Sequence, residues 1–248
     1  MALWYETGNG MVPTKMARCD MHLDVYLCCP GPSLNDLKEN LYVPGVVVAA
    51  LTTAYPTIRP DIWFGLDEPE CYHRTVWWEP FVKIARGGYQ DRECAGRKIK
   101  DFYNVFFADT TAPKDRLDIF SLRQHDVKFV WHKNSIALAL HVLVWMGAKK
   151  IHLLGCDLGG DKNYCHGLQL SEEHRNRNRR LYGQLKEYLK FFGEEGRKRG
   201  IQLVSCTKNS PVNEYLPYIP IKNALRISQT NVPEPGELKY VLDTQKSD

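Results

Sequence analysis

The stretch HKNSIALALHVLVWMGAKKIHLLGCD, residues 132–157, decides the fold. Asn134 and Ser135 are helix N-cap residues, the run Ile136 to Met146 is apolar on nearly every side, and Gly147 is a helix stop. After Lys149 and Lys150 comes a short apolar run, Ile151 to Leu154, closed by Gly155. A helix without a polar face is a buried one, and a strand of this kind belongs inside a parallel sheet covered on both faces. Ligands of such sheets bind beyond the carboxyl ends of the strands. Asp157 and the loop GGDKNYCHG that follows (159–167) therefore mark the expected site.

Upstream, LDVYLCC (23–29) reads as a buried strand stopped by Pro30-Gly31-Pro32, with Ser33 or Asn35 capping a short helix. Such a turn leaves backbone N–H groups at a helix mouth, which suits a phosphate, although its prolines equally do no more than end a strand. VVVAAL (46–51) and DIWFGL (61–66) are further strands, the second ending at Asp67. Asp67 and Asp157 are thus expected on one rim, either as caps or positioned for a ribose hydroxyl, a metal ion or a base role. The pattern weakens over 71–118, which reads as an insertion over the rim with a strand at Val105 to Phe107; Val127 to Trp131 reads as another strand. Ser171 caps a long polar helix with one apolar stripe (Leu181, Leu185, Tyr188, Leu189, Phe192), and Ile201 to Cys206 is the last strand. The expected architecture is one α/β, Rossmann-like domain over 23–227, with a mostly parallel central sheet and helices on both faces. It is flanked by an N-terminal arm or extra hairpin (1–22) and a tail (228–248) rich in Pro, Gly and charge.

Composition narrows the class without naming a partner. Of the 248 residues 44% are hydrophobic and 25% charged, and no run reaches the roughly 18 apolar residues of a membrane span. The first residues lack the order of a signal peptide, so a cytoplasmic protein is expected. The eight cysteines are scattered without a CxxC and read as reduced thiols. The nearest approach to a metal box, Cys156, Cys165, His166 and His174, fits no standard zinc spacing. His141 and His152 fall in apolar segments and read as core residues, whereas His166 and His174 lie in or just after a polar loop. Arg175, Arg177, Arg179 and Arg180 form a basic cluster within a net charge of +4. It is either a solvated helix face or a contact for an anionic substrate.

Three stretches together carry a family resemblance: the turn Gly31-Pro32-Ser33-Leu34 after a strand, NSIALALHVLVWMGAKKIHLLGCDL, and GIQLVSCTKNSPVNEYLPYI. They resemble the bacterial sialyltransferases of glycosyltransferase family 42. With RPDIWFGLDEP added, they also resemble the related DUF115 group, which includes archaeal 6-hydroxymethylpterin diphosphokinases. The first resemblance implies a nucleotide-activated sugar lying across the strand ends without a metal. It implies Gly31, Pro32 and Ser33 at the nucleotide, Asn134 and Ser135 at the helix mouth, and Tyr164 near the phosphate, beside which the basic cluster places arginines such as Arg175. It further implies His166 or His174 as base, with Asn209 and Ser210 in the last turn. The second implies Mg2+-dependent pyrophosphoryl transfer to a small alcohol, with Asp67 and Asp157 at the metal.

The departures from the sialyltransferase pattern fall at contacts to nucleotide or phosphate. Pro30 stands where that family has Asn, Gly159 where it has the first phosphate tyrosine, and Thr52 where it has Asn. The expected function is sugar transfer from a nucleotide-sugar to a hydroxyl of a glycan or a modified nucleic acid, in a chain for which an oligomer is allowed. The alternatives are the pyrophosphokinase and a non-catalytic nucleotide- or nucleic-acid-binding module.

Overall fold

The structure, a computed structural model, describes residues 3–7, 10–13, 24–111, 120, 128–130, 134–159, 164–165 and 171–230. In chain order the strands are β1 (Leu3–Thr7), β2 (Gly10–Pro13), β3 (Asp24–Cys28), β4 (Val46–Leu51), β5 (Ile62–Gly65), β6 (Val82–Arg86), β7 (Glu93–Cys94), β8 (Arg97–Lys98), β9 (Val105–Ala108), β10 (Thr110–Thr111), β11 (Phe129–Val130), β12 (Lys150–Leu154) and β13 (Gln202–Ser205). The α-helices are α1 (Ser135–Trp145), α2 (Glu172–Lys198) and α3 (Ile221–Thr230). One nine-stranded sheet runs β13-β12-β3-β4-β5-β6-β9-β1-β2. It is parallel from β13 to β9 and antiparallel at β1 and β2.

Alternation along the strands divides the core into two layers. Val25, Leu27, Ala49, Leu51, Phe64, Ile151 and Leu153 pack against α1 and the stripe Leu185, Tyr188, Leu189 and Phe192 of α2. Tyr26, Val48, Ala50 and Trp63 face the other way, against α3 and short turns carrying Leu34, Val76 and Trp77. Every residue of α1 from Ile136 to Trp145 is buried, as its uniformly apolar sequence requires. Truncating a leucine in such a helix costs on the order of 2–5 kcal/mol. The two core histidines are packed as expected. His141 sits edge-on to Phe129, and His152 stacks on Tyr26 with Nε2 at 3.3 Å from Asp24. Among the described residues no helix is long and apolar enough to cross a membrane.

The structure corrects one expectation and refines two. The described part of 71–118 is no simple insertion over the rim, since it contributes β6, and the strand expected at Val105 to Phe107 as β9, to the interior of the sheet. Within the strand expected at Val127 to Trp131, the described residues form β11, which pairs with β10 outside the main sheet. Of the N-terminal alternatives, arm or hairpin, the described residues form a hairpin on the β9 edge.

The first misreading has a physical origin in Lys83. This lysine is fully buried in β6, and its Nζ donates to the carbonyls of Glu79, Phe81 and Tyr103 at 2.6, 3.2 and 3.2 Å. Burial lowers its pKa to about 8, against the pull of the Glu79 charge. Three carbonyls supply the solvation that water would otherwise give, so a charged residue occupies an inner strand. Replacing Lys83 by Met leaves those oxygens without a donor and is expected to cost about 2 kcal/mol of stability in urea unfolding. An unchanged midpoint would mean that the carbonyl cage contributes nothing.

Candidate functional site

The carboxyl ends of β3, β4, β5 and β12 open into a cavity of about 250 Å3. The α1 N-terminus forms one wall, with Asn134, Ser135 and Ile136. Asn134 Oδ1 caps the helix by accepting from the Ile136 N–H at 2.8 Å. Cys29 to Pro32 and Gly155 to Gly159 supply the strand-end loops, with Thr52 and Asp67 beyond them. The opposite wall is one face of α2: Arg177, Asn178, Leu181, Tyr182 and Leu185.

The turn after β3 is built differently from the sequence expectation. It is a 3-10 turn over Pro32–Asp36 with Gly31 at the cap position and no side-chain cap. Ser33 instead donates twice to Asp157 Oδ2, through its N–H at 3.1 Å and its hydroxyl at 2.8 Å. Asn35 donates to the Cys165 carbonyl at 2.7 Å. The Ser33 N–H expected to face a phosphate is therefore engaged by the chain's own carboxylate. A Cβ on Gly31 would clash with Asp157 Oδ2 and the Gly155 carbonyl, and Gly155 itself has φ +62°. Only glycine fits this approach of the two loops.

Each remaining residue has a definite place. Asp67 stands at the mouth, where burial of its carboxyl raises the pKa against the lowering effects of Arg177, Tyr72 and Arg86. Its N–H donates to the Tyr72 hydroxyl at 2.6 Å. Thr52 holds a left-handed backbone (φ +46°), and its carbonyl accepts from Trp63 Nε1 at 2.8 Å. The Tyr164 hydroxyl accepts from Asn178 Nδ2 at 3.2 Å and is hydrogen-bonded to Tyr182, whose pKa burial and Tyr164 together push up. The Tyr182 phenol therefore stays protonated near neutrality. Cys29 and Cys156 lie on the floor, the Cys29 thiol held well above its ordinary pKa by its hydrogen bond to Cys156 and by burial.

A second cavity, of about 690 Å3, shares Pro32, Gly155, Asp157 and Gly159 with the first and is lined further by Ser33, Lys208, Asn209, Tyr218 and Lys222. Asp157 thus stands between the two. Ser210 lines neither. Its hydroxyl donates to the Cys156 carbonyl at 2.5 Å and accepts from the Val212 N–H, so its place is structural. Arg175 is also outside both cavities; Arg177, two residues on, holds the position expected of it. His166 lies outside the described residues, as does the side chain of His174. Sequence reasoning passed over Arg177 as a lining residue, and Asn178, Tyr182 and Tyr72 altogether. The α2 signal was present, because positions 177, 178, 181, 182 and 185 repeat with the helical period beside the apolar stripe.

Every described cysteine is a free thiol. Among the described residues no group of three His, Cys, Asp or Glu side chains could hold a metal ion. Asp67 and Asp157 share the first cavity, but one oxygen of Asp157 is already taken by Ser33. Mg2+ beside a nucleotide is held by as few as one or two carboxylates, and Asp67 with the free oxygen of Asp157 are those of this cavity.

No family model and no curated protein matches the chain. Among solved structures it is similar to the sialyltransferase CstII from Campylobacter jejuni in complex with CMP-3FNeuAc. The two share 14% identity over 80% of this chain and 86% of that one, with a TM-score of 0.48. The same enzyme with cytidine-5'-monophosphate gives 14% identity over 80% and 85% of the chains and a TM-score of 0.47. CST-II with a trisaccharide acceptor and CMP gives 13% over 79% and 86%, and 0.45. A likeness of this size carries no argument about chemistry, so the site stands on its own residues.

The close approach at Gly31 makes a direct prediction. Gly31→Ala is expected to destabilise the chain by about 1–3 kcal/mol through overpacking. Chemical denaturation measures this, and an unchanged midpoint would mean that Asp157 is not held against the turn.

Proposed function

We propose that this chain is a transferase that moves a sugar from a nucleotide-activated donor to an acceptor hydroxyl, with the donor phosphate in the first cavity. One observation carries the reading. The α1 N-terminus, the hydroxyls of Tyr164 and Tyr182, and Arg177 converge on one cavity at the carboxyl rim. A helix N-terminus offers partial positive charge and N–H donors, and an arginine offers a fixed cation, both suited to phosphate.

In the reaction, the acceptor oxygen attacks the anomeric carbon as the bond from that carbon to the donor phosphate breaks. Negative charge then grows on the departing phosphate, and Arg177, Tyr164 and Tyr182 are the groups placed to stabilise it. Gly31, Pro32, Thr52, Asn134 and Ser135 line the cavity that receives the nucleotide. The acceptor proton passes to a base of near-neutral pKa, for which His174 and His166 are the candidates. His174 lies in α2, three and four residues before the cavity residues Arg177 and Asn178. Asp157, with one oxygen fixed by Ser33, positions the turn.

The rival reading, pyrophosphoryl transfer from ATP with Mg2+, is favoured by Asp67 and Asp157 lining one cavity, while Ser33 already engages one oxygen of Asp157. A thermal-shift panel of CMP, UMP, UDP, GDP, ADP and ATP, each with and without Mg2+, separates the readings, since a ligand of the native state raises the melting temperature. The transferase predicts metal-independent stabilisation by a nucleotide, reduced in Arg177→Ala. Stabilisation by ATP or ADP only with Mg2+ would replace it with the pyrophosphokinase. A flat response throughout would leave a non-catalytic module.

A further inference from the structure

We infer that Cys206, His152 and Asp24 form a second reactive centre, in which the Cys206 thiol takes an apolar acyl group from an activated ester bound in the second cavity. The centre is independent of the transferase reading, which concerns the first cavity.

Geometry is the first argument. Asp24 opens β3, His152 lies inside β12 and Cys206 follows β13, and these three strands are consecutive in the sheet. Cys206 Sγ lies 3.7 Å from His152 Nδ1, and His152 Nε2 lies 3.3 Å from Asp24 Oδ2. A nucleophile within reach of a base, with the base held by a third group, is the arrangement that activates a thiol or hydroxyl. Only the outer member meets a cavity. Cys206 lines the second one beside Leu154, Thr207 and Tyr218, whereas His152 and Asp24 are buried behind it.

The second argument is the tautomer. Burial opposes ionisation of Asp24, but hydrogen bonds from His152 and Ser228 and the nearby Lys150 cation outweigh it and hold the carboxyl below its usual range. An ionised carboxylate only accepts, so the imidazole hydrogen is assigned to Nε2 and the Nδ1 lone pair faces the thiol. Stacking on Tyr26, at 4.4 Å and 15°, fixes the plane of the ring. Burial also lowers the His152 pKa, so near neutrality the imidazole is a free base.

The third argument is the state of the thiol. Burial pushes the Cys206 pKa up to about 12 against the pull of Lys150, so the thiol carries its proton at rest. Such a thiol attacks only as its proton leaves, and His152 is in reach of that proton. Activation is thus that of a hydroxyl nucleophile, by a base during attack and not by a standing thiolate.

The step is an acyl transfer. The sulfur bonds to the carbonyl carbon as its proton passes to His152 Nδ1. The bond from that carbon to the leaving oxygen then breaks, and the leaving oxygen takes the proton from Nδ1. Acyl-Cys206 and a free alcohol result. Leu34, Leu37, Leu154 and Ile221 in the wall of a cavity of about 690 Å3 suit the apolar chain.

The test is reaction of the full chain with p-nitrophenyl butyrate, read by p-nitrophenolate release and by mass spectrometry of the cysteine peptides. Wild type should release about one equivalent per chain in a burst, the mark of an acyl-enzyme. Butyryl should reach Cys206 at least about ten-fold faster than Cys71, an exposed thiol with no such base. Cys206→Ser should abolish labelling of that peptide. His152→Gln should slow acylation about a hundred-fold. Asp24→Asn should lower the maximal acylation rate without changing the ester concentration that gives half of it, a split that a loosened cavity would not produce. Unchanged labelling of Cys71 and a retained melting transition identify a folded variant. A burst that survives Cys206→Ser, or a folded His152→Gln that reacts at the wild-type rate, would overturn the inference. So would butyryl reaching Cys206 no faster than Cys71 in wild type, a comparison that decides even where neither core variant folds.

Discussion

The site depends on a carboxylate held against a turn that has no side chain in the way. Asp157 Oδ2 receives both the N–H and the hydroxyl of Ser33, and Gly31 permits the approach because nothing projects from its α-carbon. The contact joins the loop after β3 to the loop after β12, two strands that are neighbours in the sheet. It is reinforced by the Gly31 N–H donating to the Gly155 carbonyl at 2.9 Å and the Cys29 N–H to Leu154 at 2.7 Å. With those ends fixed, the floor of the first cavity and its boundary with the second are fixed as well.

What lies around this junction divides into rigid and adaptable parts. Helix α1 is buried over almost its whole length and is capped by Asn134, so its N-terminus presents its donors from a fixed place. Helix α2 is anchored through its apolar stripe and, nearer its start, through Asn178 and Tyr182 bonded to the Tyr164 hydroxyl. A phosphate between the two walls would meet preorganised donors on one side and long side chains on the other. Long side chains tolerate different occupants better than backbone does.

Much of this was legible in the sequence where hydrophobic pattern and burial coincide. Uniform apolarity of Ile136 to Met146 placed α1 in the core, and the aspartates after two apolar strands, Asp67 and Asp157, came to one cavity. Pattern failed where a polar group is solvated from within. Lys83 hid β6 because three carbonyls replace its water, and Ser33 was read as a cap or phosphate contact because its partner lies 124 residues away. Ser210 was assigned to the nucleotide on resemblance, whereas its hydroxyl bonds the Cys156 carbonyl. Tyr182 was missed because it lies one residue from Leu181, where attention to the apolar stripe concealed a second face.

The central claim is that nucleotide phosphate enters between the α1 N-terminus and α2. Hydrogen–deuterium exchange of the full chain with and without CMP, and with and without ATP, tests it most directly. The account predicts that a bound nucleotide slows exchange in 29–36, 134–138 and 155–159, with the far edge formed by β1 and β2 unchanged. Protection confined to other segments while the nucleotide is bound would contradict it.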